Sequence, residues 1–286
     1  MTVGEFIAVA EKTLAEAGVQ SPRADAETMT AAILNVRRSD LFLRSGDELP
    51  RPEAEKLRAR VERRAGREPL QLILGYAPFL GLEVAIEPGV FVPRPETEGL
   101  AELCVELAGG MPNPTLVEAC AGTAALSLAF LRERPDAEVL AVERDTAAVA
   151  CAARTARRYG LDLKLVRGNL LEPLVRGKLE GTVDIVVANP PYIRSGDVDS
   201  LPPEVRDWEP REALDGGPDG LDYYPPLTRV AASLLAPGGW LAFEVGDGAA
   251  MAVVGIIELY GGFEMPATAR DLSGVERYFY ARKGSN

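Results

Sequence analysis

The chain has 286 residues, enough for about two domains, and its 47% hydrophobic and 26% charged content is typical of a globular protein in water. Its net charge of −12 predicts no overall attraction to nucleic acid or to an anionic membrane. Histidine is absent, which excludes Ser–His and Cys–His nucleophile pairs and His-ligated metal sites. Three scattered cysteines, no basic-then-apolar leader and no apolar run of membrane-spanning length favour a cytoplasmic protein without a metal.

The first seventy residues predict a small helical bundle. A capping box at Thr2 to Glu5 opens one helix, and Ser21 with Pro22 opens a second as N-cap and first-turn proline. A third helical segment is expected near Leu41 and a fourth from Pro52 to Arg64. The Arg-rich stretch 51–67 favours a solvated helix face over a partner-binding surface.

The pattern changes between residues 71 and 95 to short apolar runs broken by Gly and Pro. We predict strands at Leu72–Gly75 and Leu82–Ile86, which would form a hairpin between two domains. The expected organisation is therefore a helical domain over 1–70, a hairpin linker over 71–95 and a larger domain over 96–286.

Strands and helices alternate from Thr115 onward, which predicts an α/β fold with a mostly parallel, doubly wound sheet covered on both faces. The final pair of strands is expected at 263–265 and 277–281. The predicted strands before it are Thr115–Ala119, Glu138–Val142, Leu163–Arg167, Val183–Ala188 and Trp240–Val245, and the helices are Ala124–Glu133, Thr146–Tyr159, Tyr224–Leu235 and Ala249–Leu259.

Asn189-Pro190-Pro191-Tyr192 follows the apolar run 183–188, at the end of a strand where open α/β sheets bind ligands. The prolines fix φ and stop the strand from continuing. The Asn189 side-chain oxygen and the Pro190 carbonyl both accept hydrogen bonds, so together they can hold the two hydrogens of one planar –NH2 group. The Tyr192 ring can lie against the flat group that carries this nitrogen. The alternative is an ordinary strand-to-loop turn.

A candidate nucleotide-like site lies at the ends of the three preceding strands. The first strand-to-helix turn, Glu118-Ala119-Cys120-Ala121-Gly122-Thr123-Ala124, keeps one glycine and matches neither a dinucleotide fingerprint nor a Walker loop. Glu143 is placed to accept hydrogen bonds from ribose hydroxyls. Asn169 could contact an adenine amino group and Leu170 could cover its ring. Glu143 or Asn169 alone is more often a capping or solvent residue, and their common location makes them one candidate site.

The chain resembles the release-factor glutamine methyltransferases along nearly its full length. Asn-Pro-Pro-Tyr alone also occurs in adenine and guanine N-methyltransferases, whereas the other motifs are more specific. The residues that carry the resemblance are Arg67-Glu68-Pro69-Leu70-Gln71 with Gly75 and Phe79, Pro93-Arg94-Pro95-Glu96-Thr97-Glu98, Asn189-Pro190-Pro191-Tyr192-Ile193, Trp208-Glu209-Pro210 with Ala213-Leu214, Gly216-Gly217, Asp219-Gly220-Leu221, and Asp271-Leu272-Ser273-Gly274 with Arg277.

This resemblance implies a Rossmann-like class I methyltransferase fold and S-adenosyl-L-methionine as cofactor, with S-adenosyl-L-homocysteine as product. The implied reaction methylates a glutamine side-chain amide in a class I release factor, in a Gly-Gly-Gln loop, with the helical domain as a second contact. It implies catalytic roles for Asn189, Pro190 and Tyr192 and substrate binding by Asn189 to Tyr192. The implied cofactor-binding residues are Glu118, Cys120, Ala121, Gly122, Thr123, Ala124, Glu143, Asn169, Leu170 and Asn189.

The sequence departs from the family pattern in the cofactor loop. The family usually has Asp at position 118, glycine at 120 and 124, and an acid at 169, where this chain has Glu, Cys, Ala and Asn. Two alternatives therefore stay open: a nucleic-acid adenine or guanine N-methyltransferase, and a non-catalytic binding protein with this fold. Against the first, the stretch 195–222 beside the motif is dominated by Asp and Glu, a poor lining for a phosphate backbone.

Overall fold

The computed structural model describes residues 1–175 and 177–285. Contacts between Cα atoms divide the chain into two compact units. The helical unit consists of Met1–Tyr76 and the short segment Pro202–Trp208, and the sheet unit consists of Ala77–Leu201 and Glu209–Asn286. A segment from the second half of the chain is therefore an integral part of the helical unit.

The helical unit contains α1 (Val3–Glu16), α2 (Pro22–Leu34), α3 (Arg51–Ala65) and α4 (Leu70–Leu74). The predicted capping box is confirmed, because Thr2 Oγ1 accepts the Glu5 N–H at 3.2 Å and Glu5 Oε2 accepts the Thr2 N–H at 2.8 Å. Ser21 occupies the N-cap position of α2 but makes no side-chain capping bond. Leu14, Met29 and Leu57 are fully buried between the helices.

Two expectations for the first eighty residues were wrong. Residues 72–74 belong to α4, not to a strand, because the fixed φ of Pro69 starts a helical turn that ends at Gly75 in the left-handed conformation, with φ of 81°. The hairpin is instead β1 (Tyr76–Phe79) paired with β2 (Leu82–Ala85). The third helical segment is only a 3₁₀ turn, Arg38–Leu41.

The Pro202–Trp208 segment contains a short helix, α8 (Pro203–Arg206), and Glu204 on it pairs with two arginines of the helical unit. Glu204 Oε2 lies 2.6 Å from Arg67 Nη2, and Glu204 Oε1 lies 3.1 Å from Arg64 Nη1. Arg64 is buried and its Nε also donates to Asp25 at 2.7 Å. Burying Arg64 is tolerable because both carboxylates compensate its charge.

The sheet unit has seven strands in the order β5-β4-β3-β6-β7-β9-β8. The first five are parallel to one another, and β9 is antiparallel to both of its neighbours, β7 and β8. This confirms the predicted mostly parallel, doubly wound α/β class. Five α-helices belong to it, besides short 3₁₀ turns, in its described part. The strands are β3 (Thr115–Ala119), β4 (Glu138–Glu143), β5 (Leu163–Arg167), β6 (Val183–Ala188), β7 (Leu235–Glu244), β8 (Phe263–Arg270) and β9 (Glu276–Lys283), and the helices include α5 (Pro95–Leu107), α6 (Ala125–Glu133), α7 (Thr146–Tyr159), α9 (Tyr224–Leu234) and α10 (Ala250–Tyr260).

Both faces of the sheet are covered, as the continuous apolar strands predict. Successive residues of β6 alternate between the two cores: Val186 packs with α9 and α10, and Ile185 and Val187 pack with α5 and α6. The largest fully buried side chains are Tyr224 on the first side and Phe79 and Phe130 on the second. β7 begins five residues earlier than predicted, at Leu235, and pairs there with Val183.

None of the helices in the described ranges combines the length and the apolar character needed to cross a bilayer. The same residues contain no group of three or more His, Cys, Asp or Glu side chains placed to bind a metal ion.

Candidate active site

The strand register brings the predicted site residues to one edge of the sheet. Ala119 pairs with Val142 on one side and with Ala188 on the other, and Ala188 pairs with Phe243. The next residues, Cys120, Glu143, Asn189 and Glu244, therefore leave four neighbouring strands at their carboxyl ends. This is the edge where open parallel sheets bind ligands.

The Asn189 side chain is held by a threonine of the sheet unit. Asn189 Nδ2 donates to Thr97 Oγ1 at 3.0 Å, and the Thr97 hydroxyl donates to Glu244 Oε2 at 2.7 Å. Thr97 lies in the first turn of α5 and is buried, and Asn189 is partly buried. The amide is thus fixed with its NH2 toward Thr97 and its oxygen available as an acceptor.

Glu244 is a buried carboxylate that ties the motif to the sheet. It is 0% exposed, and its Oε1 accepts the Tyr192 hydroxyl at 3.1 Å. Burial raises the pKa of Glu244, and the hydrogen bonds from Thr97 and Tyr192 oppose that rise. The Tyr224 hydroxyl donates to the Glu244 carbonyl at 3.0 Å. Both ends of the Asn-Pro-Pro-Tyr motif therefore converge on one carboxylate.

The turn after Tyr192 is clamped by the glycine-rich stretch that the family resemblance singled out. Ile193 N–H donates to the Leu214 carbonyl at 3.0 Å, and Gly216 N–H donates to the Ile193 carbonyl at 2.7 Å. A Cβ at Gly216 would lie 2.7 Å from both the Pro191 oxygen and the Tyr192 Cα. Only glycine allows the two backbones to approach this closely.

Gly216→Ala is expected to lower the rate of the methyl transfer that the family resemblance implies by about 100-fold, because the new methyl group must push Pro191 and Tyr192 out of position. Gly196→Ala is the matched control: Gly196 is exposed, in the same loop, and a Cβ there meets nothing within 4 Å. Steady-state rates with radiolabelled cofactor measure both variants. Equal rates for the two alanine variants would show that the close backbone contact does not matter.

The loop from Cys120 to Ala124 keeps a glycine-like backbone although only one of its residues is glycine. Cys120, Gly122 and Ala124 have φ of 52°, 55° and 54°. Cys120 and Ala124 are not glycine and therefore bear the strain of the left-handed region, typically about 1–2 kcal/mol each. A Cβ at Gly122 would meet nothing within 4 Å, so the loop faces open space there.

Glu143 lies against this loop. Its Oε2 accepts the Gly122 N–H at 2.7 Å and its Oε1 accepts the Asp145 N–H at 2.8 Å. A carboxylate offers about four acceptor positions, so these two bonds leave capacity for hydroxyl donors. The structure therefore places Glu143, the predicted ribose-binding residue, in hydrogen-bond contact with the predicted cofactor loop.

The remaining predicted cofactor residues differ in their surroundings. Asn169 is exposed and donates to Glu172 Oε1 at 3.2 Å, whereas Leu170 packs partly against the core. Leu170 has φ of 49°, an uncommon conformation for a bulky residue. Ala121 and Thr123 are buried within the loop.

Glu118 is buried beneath the loop rather than exposed at the edge. It is 4% exposed, and its Oε2 accepts the Ser127 N–H at 3.0 Å and the Ser127 hydroxyl. Burial raises the pKa of Glu118 to about 7, against the lowering effect of the Ser127 hydrogen bonds. Glu118 thus anchors the first turn of α6, which supports the loop.

The stability of the Glu118→Gln variant, measured relative to wild type, is expected to be higher at pH 8 than at pH 5. The folded pKa of about 7 exceeds the ordinary value of 4.5, so the contribution of Glu118 is present below pH 4.5 and is lost as the pH rises through 7. Since glutamine cannot ionise, the variant should gain roughly 3 kcal/mol over wild type across this window. Urea denaturation of both proteins at pH 5 and pH 8 measures the difference, and parallel pH profiles would contradict it.

A buried ion pair joins two of the motifs in the sheet unit. Arg94 Nη2 lies 2.7 Å from Glu209 Oε1, and the Glu209 side chain is only 1% exposed. In the described part of the chain, Glu209 Oε2 has no hydrogen-bond partner. The Arg94 guanidinium also lies 4.8 Å from the centroid of the Phe91 ring.

Sequence reasoning named no role for Glu244, and it named Thr97 only as part of the motif 93–98. A signal for Glu244 exists, since an acidic residue at the end of a buried parallel strand stands at the ligand-binding edge. Thr97 carries no such signal, because its role depends on where the first turn of α5 packs.

Two family models match the chain. The one described as the PrmC N-terminal domain matches residues 5–75, and the one described as the methyltransferase small domain matches residues 81–201. Each match lies almost entirely within one of the two structural units.

Solved methyltransferase structures share the fold. The hMettl16 catalytic domain in complex with MAT2A 3′UTR hairpin 6 is 13% identical, with a TM-score of 0.57 and coverage of 82% of each chain. The T. thermophilus 16S rRNA N2 G1207 methyltransferase in complex with AdoMet and guanosine is 25% identical, with a TM-score of 0.51 and coverage of 73% of this chain and 49% of that one. These structures confirm the class I Rossmann-like methyltransferase fold.

Curated relatives match along the whole length. The release factor glutamine methyltransferase of Geobacter sulfurreducens is 39% identical over 95% of this chain and 93% of its own. That of Corynebacterium glutamicum is 39% identical over 99% of each chain. The chain therefore belongs to the release factor glutamine methyltransferase family.

Proposed function

We propose that the protein transfers a methyl group from S-adenosyl-L-methionine to the side-chain amide nitrogen of a glutamine in a class I release factor, in its Gly-Gly-Gln loop. The observation that carries this proposal is the fixed orientation of the Asn189 side-chain amide. Its Nδ2 is committed to Thr97, so its oxygen is left to accept a hydrogen from a substrate amide. The full-length relatives support the same assignment.

The chemical difficulty is that the lone pair of an amide nitrogen is delocalised. Two acceptors, the Asn189 oxygen and the Pro190 carbonyl, would hold both N–H groups and favour a pyramidal nitrogen with its lone pair exposed. The Tyr192 ring, whose hydroxyl is anchored on Glu244, would lie against the flat amide. Catalysis is then mainly positioning for an in-line displacement, in which the nitrogen gains the methyl group as the bond from methyl to sulfur breaks and then releases one of its two protons to water.

The cofactor edge fits S-adenosylmethionine. The loop from Cys120 to Ala124 keeps the glycine-type backbone and faces open space at Gly122, and Glu143 retains acceptor capacity beside it. Glu143 would hold the ribose hydroxyls, and Asn169 and Leu170 the adenine. When bound, the cofactor supplies an activated methyl group on a sulfonium that departs as a neutral thioether, S-adenosylhomocysteine.

The charge beside the motif favours a protein substrate over a nucleic acid. The parts of the stretch 195–222 that belong to the sheet unit contain seven Asp or Glu and one Arg. This excess of negative charge, next to the motif in the sequence, disfavours binding of a phosphate backbone. A polypeptide loop therefore fits this edge of the sheet better than a nucleic acid does.

Mass spectrometry of candidate release factors after incubation with the enzyme and labelled cofactor tests the proposal. The expected product is one additional methyl group on the glutamine of the Gly-Gly-Gln loop. Parallel reactions contain ribosomal RNA or DNA, and calorimetry measures cofactor binding. Label on nucleic acid alone would support the nucleic-acid alternative, and no binding at millimolar cofactor would support the non-catalytic one.

A further inference from the structure

We propose that Glu244 and Thr97 form a hydrogen-bond relay that sets which way the Asn189 amide points, so that the site accepts the –NH2 of glutamine and rejects the carboxylate of glutamate. This inference rests on the proposed function and adds the basis of its specificity. Glu244 and Thr97 are positioning residues in this scheme, because they act through Asn189.

The direction of the relay follows from the number of hydrogens. The Thr97 hydroxyl has one hydrogen, and it is donated to Glu244 Oε2 at 2.7 Å. Only lone pairs of Thr97 Oγ1 then remain for Asn189. The amide must therefore turn its Nδ2 toward Thr97, at 3.0 Å, and its oxygen the other way.

Glu244 is suited to start the relay because an ionised carboxylate can only accept. Its other oxygen accepts the Tyr192 hydroxyl at 3.1 Å, so both of its oxygens receive donors from the motif region. Thr97 lies in the first turn of α5, where the helix dipole stabilises a nearby negative charge. Arg277 also favours the ionised form, whereas Glu96 opposes it.

Glutamine and glutamate have nearly the same shape, so polarity must distinguish them. A reversed Asn189 would present its –NH2 outward, where it would bind a carboxylate and leave a substrate amide without an acceptor. Sites that pair a specific polar group reject analogues with the wrong one strongly, because the buried partner is left unpaired.

Thr97→Val tests the relay, because valine keeps the shape of threonine but neither donates nor accepts. We expect kcat to fall at least about tenfold, and the preference for the glutamine target over its Gln→Glu form, measured by competition, to fall at least about tenfold as well. Thr97→Ser keeps the hydroxyl and should retain both values. Glu244→Gln, which supplies a donor where the relay needs an acceptor, should also lose the preference.

A merely structural role for Thr97 predicts a different outcome: kcat would fall with the glutamine preference unchanged, and that result would overturn the relay. Thermal melting and cofactor calorimetry verify that each variant is folded and loaded. A second measurement needs no turnover. The Asn189 side-chain NH2 signal in ¹⁵N NMR should exchange with water more slowly in wild type and Thr97→Ser than in Thr97→Val and Glu244→Gln.

The two hypotheses fail in distinguishable ways. A wild-type enzyme that does not methylate glutamine contradicts the proposed function, while the NMR comparison still decides whether the relay orients Asn189. Equal exchange rates in all four proteins would exclude the relay, whatever the substrate.

Discussion

Replacing Asn189 by alanine is expected to lower methyl transfer by at least about 100-fold without changing the fold. The variant loses the acceptor that would hold one N–H of the substrate amide, and a misplaced nucleophile costs this much in an in-line displacement. Thr97 and Glu244 remain bonded to each other after the change, so the surroundings of the site should keep their structure. Single-turnover rates with labelled cofactor measure the loss.

Asn113→Gly is the control for removing an asparagine side chain. Asn113 lies in an exposed turn with φ of 48°, a conformation that glycine adopts without strain. Its rate should equal that of wild type. Wild-type turnover by Asn189→Ala would disprove the proposed role of the motif.

Arg94→Ala is expected to destabilise the protein by about 3–5 kcal/mol, because it leaves the Glu209 carboxylate buried without its charge partner. The Glu209 side chain is 1% exposed, and burial already raises the pKa of Glu209. Without Arg94 that pKa rises further, so the stability that the protonated form contributes is lost as the pH increases. Urea denaturation should therefore show a larger loss at pH 8 than at pH 5.

The double variant Arg94→Met, Glu209→Leu separates charge from packing. It replaces both ions with apolar groups of similar volume, and such replacements are often nearly neutral. Most of the lost stability should return. A double variant as unstable as Arg94→Ala would mean that the contact of Arg94 with Phe91, rather than the ion pair, provides the stability.

The order of elements in the sheet unit could be predicted from the sequence because its strands carry strong local signals. Val183–Ala188 is apolar except at Asp184 and is bounded by a polar turn and by Asn-Pro-Pro, so its limits were predicted correctly. Residues 72–74 are equally apolar but form one helical turn, since a run of three cannot specify a strand and Pro69 decides the conformation. Short segments depend on their neighbours more than on their own composition.

The candidate site could be predicted only where it follows the ends of strands. Asn189 and Glu143 were placed in this way, and the structure brings both to the same edge of the sheet. The path of the loop from Cys120 to Ala124 could not be predicted from residue types. Cys120 and Ala124 adopt the left-handed conformation although neither is glycine, because the surrounding structure holds them there. Contacts such as that of Thr97 with Glu244, 147 residues apart, depend on tertiary packing alone.

The segment Pro202–Trp208 has a consequence for how the protein can be divided. The chain passes between the two units at three places, after Tyr76, after Leu201 and after Trp208, so no single cut separates them. A fragment ending at residue 76 would lack Glu204, and its buried Arg64 would lose one of its two carboxylates. A fragment starting at residue 77 would carry Pro202–Trp208 without the helices on which it packs. An excised helical domain therefore needs this segment grafted onto it, because the helical unit is built from two separate stretches of the chain.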